Sequence, residues 1–193
     1  MVASVEEANA VVRMPLLSPR TCRSMVETIK SLRGWRGAQV SIETGASSFG
    51  SFTRHDIRSA RILSWKHTDV LCRGFEAKLD RVVKPMIRRL WGVELPDHSG
   101  TQIVWYPAGG HYLAHQDAGP DFPRRYFTVV CYLNDDFEGG HTWFPSLHHS
   151  AAPQCGSAIL FPAHYYHCAQ PVVRGEKFVI VSWLEGPTHI RWI

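Results

Sequence analysis

The sequence predicts an α+β fold in which N-terminal helices brace one face of an antiparallel β sandwich or barrel. Two observations carry this. Apolar residues between Ser18 and Leu90 recur at helical spacing in two separate stripes. After Gly92, six short stretches rich in β-branched and aromatic residues follow one another, separated by Gly, Pro, Asn and Asp. No helical pattern falls between those stretches, so the strands are expected to pair antiparallel.

The elements follow in order. Ser18-Pro19 offers an N-cap and a proline at the first helical position, and Cys22, Met25, Val26, Ile29 and Leu32 then share one face up to Gly34. A second stripe runs from about Thr68 to Leu90 through Leu71, Phe75, Leu79, Val82, Val83, Met86, Ile87 and Leu90, with Pro85 expected to kink the helix. Between them, residues 37–61 are rich in Gly, Ser and Thr without a sustained period, and read as a long irregular segment. Phe49, Phe52 and Ile57 give it apolar side chains that solvent alone does not favour, so it is expected either to act as a substrate-gating lid or to pack permanently on the barrel as a surface loop. Strands are expected over 101–106, 112–117, 126–133, 142–145, 157–161 and 177–184. The chain reads as one domain over 1–193, with helical support over about 16–92 and a β core over about 100–186.

The totals exclude several classes. Hydrophobic residues make up 45% and charged residues 20%, enough to bury a full core. The net charge of +4 is spread along the chain, which gives no nucleic-acid footprint. No stretch nears the roughly 18 apolar residues of a membrane span, and the first fifteen residues carry Glu6, Glu7 and Asn9 without an apolar run, so no membrane association and no signal peptide are expected. A cytoplasmic protein is expected. Cys22, Cys72, Cys131, Cys155 and Cys168 are scattered, odd in number and without a C-x-x-C, which fits reduced thiols rather than a disulfide framework or a zinc site.

The chemistry begins at "HYLAHQD". In an extended chain side chains alternate, so His115 and Asp117 point to one side. Two imidazoles and one carboxylate on one face are what a non-haem Fe(II) oxygenase uses, leaving positions open for a co-substrate and O2. Among the remaining histidines, His167 stands between the strand "SAILF" and the turn "PVVRGEK", where a barrel can bring it beside His115 and Asp117 from another strand; His164 is the fallback. Ten residues on, Lys177 opens a strand with Lys177, Val179, Val181 and Trp183 on one face. Both faces are largely apolar, so a buried Lys177 requires an anionic partner, and a bound dicarboxylate answers that need. Thr128, Val130 and Tyr132 likewise share a face.

The stretch from Tyr106 to Trp183 resembles the prolyl 4-hydroxylase type of Fe(II)/2-oxoglutarate dioxygenase. The resemblance rests on "YPAGGHYLAHQD", then "VVCYLNDDFEGGHTWFP", then "GSAILFPAHYYHCAQPVVRGEKFVIVSWL", in that order, and extends to "VVRMPLLSPRTCRSMVETIK" near the start. It implies a double-stranded β-helix, or jelly roll. It also implies iron held by His115, Asp117 and His167, and a co-substrate, 2-oxoglutarate, held by Lys177 with Tyr106, Tyr132 and Thr128 nearby. O2 is then the oxidant, ascorbate a candidate reductant, and succinate and CO2 the co-products. Asp117 fills the position a halogenase leaves open, so hydroxylation is expected rather than chlorination. Trp143 and Trp183 are candidate substrate contacts, as are Arg124, from the pair Arg124-Arg125, and His141, which stands where the family often has an acidic residue. A short chain without a peptide-binding domain suggests a small-molecule or amino-acid-derived substrate. The alternatives are a peptidyl or protein prolyl hydroxylase and a non-catalytic β-helix module, and the intact ligand set with Lys177 argues against the second.

Overall fold

The computed structural model describes residues 4–45 and 48–187. The chain opens with strands β1 (Val5–Ala8) and β2 (Val11–Pro15) and helix α1 (Pro19–Ser31). Strands β3 (Trp35–Gly37), β4 (Val40–Gly45), β5 (Ser48–Phe52), β6 (Arg58–Ser59) and β7 (Arg61–Leu63) follow, then helices α2 (Trp65–Leu71), α3 (Arg73–Lys78) and α4 (Lys84–Trp91). The remainder is β structure: β8 (Asp97–Tyr106), β9 (His111–His115), β10 (Arg125–Tyr132), β11 (Glu138–Gly139) and β12 (Thr142–Phe144). After these come β13 (His149–Ala151), β14 (Ser157–Pro162), β15 (His167–Ala169), β16 (Val172–Arg174) and β17 (Lys177–Glu185).

Helix α1 starts as its sequence dictates: the Ser18 hydroxyl accepts from the Thr21 N–H at 3.1 Å, and Pro19 occupies the first turn, where its missing N–H costs nothing. The second stripe does not form one kinked helix. It divides into α2, α3 and α4, with a π-helical turn at Leu79–Val83 just before Pro85. Pro85 has no N–H to offer the preceding turn and its ring crowds the carbonyl there, so the i→i+5 register absorbs what a kink would otherwise take up. Gly92 closes α4 in the left-handed conformation. Among the described residues no helix is long and apolar enough to cross a membrane.

Two sheets build the barrel. The larger has eight strands in the order β1-β2-β14-β10-β17-β8-β7-β3, and the smaller five in the order β13-β12-β15-β9-β6, all paired antiparallel. Alternation along the larger sheet sorts its residues. Phe127, Val129 and Cys131 of β10 and Phe178, Ile180 and Leu184 of β17 join Cys22, Ile29, Phe75, Leu79, Val83 and Ile87 of the helices in one buried cluster. Val130 and Tyr132 of β10 and Val179 of β17 join Phe144, Phe161 and Val172 in a second cluster, between the sheets. The two sheets enclose a cavity of about 730 Å³.

Two expectations need correction. Residues 37–61 are not irregular: β4 and β5 pair as a hairpin, and β6 joins the smaller sheet. The N-terminal support is also not purely helical, because β3 and β7 extend the larger sheet beyond β8. Both strands are only three residues long, too short for a periodicity to show in the sequence. Gln39, Val40, Ser51 and Thr53 of the segment expected to be a lid line the cavity. Residues 46–47 and the side chain of Phe49 lie outside the described residues.

Candidate active site

Three ligand-capable side chains converge at one end of the cavity. His115 ends β9 and His167 opens β15, and the two are directly opposed across the smaller sheet. Their rings lie 4.3 Å apart, centroid to centroid. Strand β9 stops at His115, and the next turn is clamped where the N–H groups of Asp117 and Ala118 both donate to the Ala163 carbonyl, at 2.9 and 3.0 Å. This brings the Asp117 carboxylate to 3.5 Å from His115 Nε2 and 3.4 Å from His167 Nε2. One donor atom from each of the three lies within 4.8 Å of the others, and no other such group of three occurs among the described residues.

Each imidazole is aimed by the carbonyl two residues before it. His115 Nδ1 meets the Leu113 carbonyl at 2.8 Å and His167 Nδ1 the Tyr165 carbonyl at 3.0 Å. A carbonyl only accepts, so Nδ1 carries the proton and the Nε2 lone pair faces the shared point. Burial and the neighbouring His115 bring His167 down to about 4, which keeps it neutral as a ligand must be. Burial pushes the Asp117 carboxyl up, but the facing imidazoles and the Thr128 hydroxyl, which donates to Asp117 Oδ2 at 2.7 Å, outweigh it and hold the group ionised. Two imidazoles with Nε2 turned to one point and a carboxylate beside them form a donor set that fits Fe(II). Replacing Thr128 with valine keeps its shape but frees one carboxylate oxygen. Divalent-metal affinity is then expected to fall about 10–100-fold, read by metal titration, with the melting temperature of the metal-free protein little changed.

Lys177 lies deeper, 1% exposed, with its ammonium 2.6 Å from the Gly140 carbonyl. The rings of Tyr106 and Tyr132 stand 5.0 and 5.5 Å from it, and the Tyr132 hydroxyl bonds Thr142 at 2.8 Å. Among the described residues no carboxylate pairs with this cation, and burial pushes it down from 10.5 to about 7. Gly140 is required here: its φ is +63° and a Cβ would lie 2.9 Å from the Phe137 ring and 3.2 Å from Lys177 Cδ.

The weaker candidates divide. Trp183 lines the cavity, its ring laid over Gly100, where a Cβ would come within 2.8 Å of the indole. Trp143 does not: Thr142 and Phe144 on either side of it point inward, so it faces out. His141 bonds Ser150 at 3.0 Å and takes no part in the cavity wall. Arg124 is turned to the surface, on Asp97 at 2.7 Å and the Gly186 carbonyl at 3.1 Å, and its neighbour Arg125 enters the cavity instead. The pairing of β10 with β17 shifts between Arg125 and Phe127, and this bulge reverses the alternation that would have pointed Arg124 inward. Thr128 braces Asp117 and does not line the cavity. His164, the fallback ligand, packs on Tyr165 and lies outside the metal-capable group. Sequence reasoning missed Arg58, Gln102 and Tyr112, which all line the cavity.

Comparison with known proteins agrees with this geometry. Residues 101–185 match the family described as the 2OG-Fe(II) oxygenase superfamily. A provisionally named prolyl 4-hydroxylase of Acanthamoeba polyphaga mimivirus is 30% identical over 131 residues, 55% of this chain and 54% of that protein. The chain thus spans about half the length of that relative. Among solved structures, a Pseudomonas putida prolyl-4-hydroxylase superposes with a TM-score of 0.68 at 19% identity, covering 92% of this chain and 93% of the other. A prolyl hydroxylase from Trichoplax adhaerens, in complex with a hypoxia inducible factor peptide fragment, gives 0.72 at 17%, covering 92% and 84%. Residues 101–185, which carry the triad and Lys177, thus match the 2OG-Fe(II) oxygenase superfamily, and the relatives in sequence and in fold are prolyl hydroxylases. The family implies Fe(II), 2-oxoglutarate and O2.

These comparisons overturn the expected small-molecule substrate. That expectation rested on the lack of a separate peptide-binding domain. The Trichoplax structure holds a peptide although this chain already covers 84% of it, so the shared fold needs no large added module to seat one.

Proposed function

We propose that the protein is a 2-oxoglutarate-dependent hydroxylase of prolyl residues in a peptide or protein. The observation that carries this is the convergence of His115, Asp117 and His167 within one cavity that also buries the unpaired cation of Lys177. The names of the mimivirus and Pseudomonas relatives support proline as the target. Bound iron, with 2-oxoglutarate and O2, would supply the oxidising chemistry that turns a C–H bond into C–OH while succinate and CO2 form. The chain's own part is placement. His115, Asp117 and His167 hold the metal on one face. Lys177 receives the distal carboxylate of 2-oxoglutarate, a charge-assisted contact in a site closed to water. Val130, Val179 and Val181 add apolar side chains to the lining of the same cavity.

The test supplies purified protein with Fe(II), 2-oxoglutarate and a panel of proline-containing peptides, and His167→Ala as control. Succinate formed in step with the gain of one oxygen on proline is expected from the parent and absent from the variant. Turnover of 2-oxoglutarate that no proline peptide stimulates or couples to would overturn the proposal.

A further inference from the structure

The charges lining the cavity fall into two sets. On the reading above, the divalent metal and Lys177 balance Asp117 and the two carboxylates of 2-oxoglutarate. The rest of the wall holds Arg36, Arg58 and Arg125 against a single carboxylate, Asp121. Among the described residues none of these three guanidinium groups forms an ion pair within 4.0 Å. The Nε atoms of Arg58 and Arg125 are buried with no hydrogen-bond partner. Arg36 is exposed, but Arg58 and Arg125 are partly withdrawn from water, Arg125 with the Asp117 carbonyl at 3.2 Å, and positive charge held there is relieved by a ligand that brings negative charge.

The two inner guanidinium groups are also held still. Arg125 lies between the rings of Phe122 and Trp183, 3.7 and 3.8 Å from their centroids. Arg58 lies 4.6 Å over Tyr112 and donates to the Gln39 carbonyl at 3.1 Å. Tyr112 in turn stacks on His115 at 3.5 Å. Two ring spacings therefore separate the Arg58 fork from a ligand of the metal. An extended proline-rich chain rises about 3.1 Å per residue, so that reach corresponds to about two or three residues. A planar fork fixed in this way suits a carboxylate, which it can engage through two parallel bonds.

We propose that the hydroxylated segment is acidic, with an Asp or Glu side chain within about three residues of the target proline, received by Arg58 together with Arg36 and Arg125. This rests on the prolyl hydroxylase reading and narrows its substrate class. The experiment compares three peptides alike except that the residues flanking proline are acidic, neutral or basic, measuring kcat/KM for proline hydroxylation alongside substrate-free 2-oxoglutarate turnover. The acidic peptide is expected to exceed the neutral one by about tenfold or more and the basic one by more again, with the margin shrinking at high salt. Arg58→Gln should reduce the margin. Arg36→Glu, at an exposed position that tolerates change, should shift preference toward the basic peptide. Equal rates on all three peptides, or a margin unchanged in Arg36→Glu, would overturn the acidic assignment and leave prolyl hydroxylation standing. Substrate-free turnover with no peptide hydroxylated at all would overturn both.

Discussion

An Asp117→Ala protein is expected to fold as the parent does and to lose its iron-dependent turnover by about a thousandfold or more. Only one carboxylate stands in the metal-capable group, so its loss leaves two imidazoles and no charge to hold a divalent ion. The fold does not depend on it in the same way. The clamp on this turn runs through the backbone N–H of Asp117, which alanine retains, and the Thr128 hydroxyl loses its acceptor at a cost of about 1 kcal/mol. Thermal melts with and without a divalent metal separate the two effects. The parent gains stability from metal by mass action, and the variant should melt near the metal-free parent and gain little. An unchanged metal-induced shift in the variant would remove Asp117 from the ligand set.

Lys177→Met is expected to act in two opposite directions. It should raise the KM for 2-oxoglutarate on the order of a hundredfold or more, because a buried charge pair that loses one partner costs roughly 2–5 kcal/mol. It should also stabilise the protein without co-substrate by roughly 1–4 kcal/mol, since methionine fills similar volume without a desolvated charge. For a chain of this size that is roughly 2–16 °C in melting temperature. The pH dependence follows from the depressed value of about 7. An unfolded lysine keeps its proton to about 10.5 while the folded one releases it near 7. The folded state therefore carries the full penalty below about pH 7, and the parent should gain stability as pH rises from there toward 10. The methionine variant should lack that gain. Lys177→Arg should rescue only part of the co-substrate affinity, because the broader fork must fit beside Gly140 and reach with paired donors. An unaltered KM in Lys177→Met would refute the anchoring role.

The sequence made the central residues legible because their signals are local. His115 and Asp117 are two residues apart, and although Asp117 falls in the turn after β9 the Ala163 clamp keeps it beside His115, while Lys177, Val179, Val181 and Trp183 follow a regular strand. His167 required a barrel to close, and the cross-strand pairing with His115 is a long-range fact that only the order of motifs could suggest. Reading failed where regularity breaks. One bulge turned Arg125 inward in place of Arg124, and a bulge leaves no periodic mark. Arg58 sits on a strand of two residues, below the length at which any period can be seen. Trp143 is a different failure, because Thr142 and Phe144 already pointed inward by the same alternation that served for Lys177.

The opposite faces of β10 and β17 have a consequence for how this chain tolerates change. Phe127, Val129, Cys131, Phe178, Ile180 and Leu184 share a core with the helices, while Thr128, Val130, Lys177, Val179, Val181 and Trp183 face the site. A library of all single substitutions, scored once for abundance and once for turnover, would therefore carry a two-residue beat along both strands, with the two scores out of phase. Selection for a new substrate can work on one set of positions while the other keeps the scaffold intact, so specificity in this barrel can drift without passing through unfolded sequences.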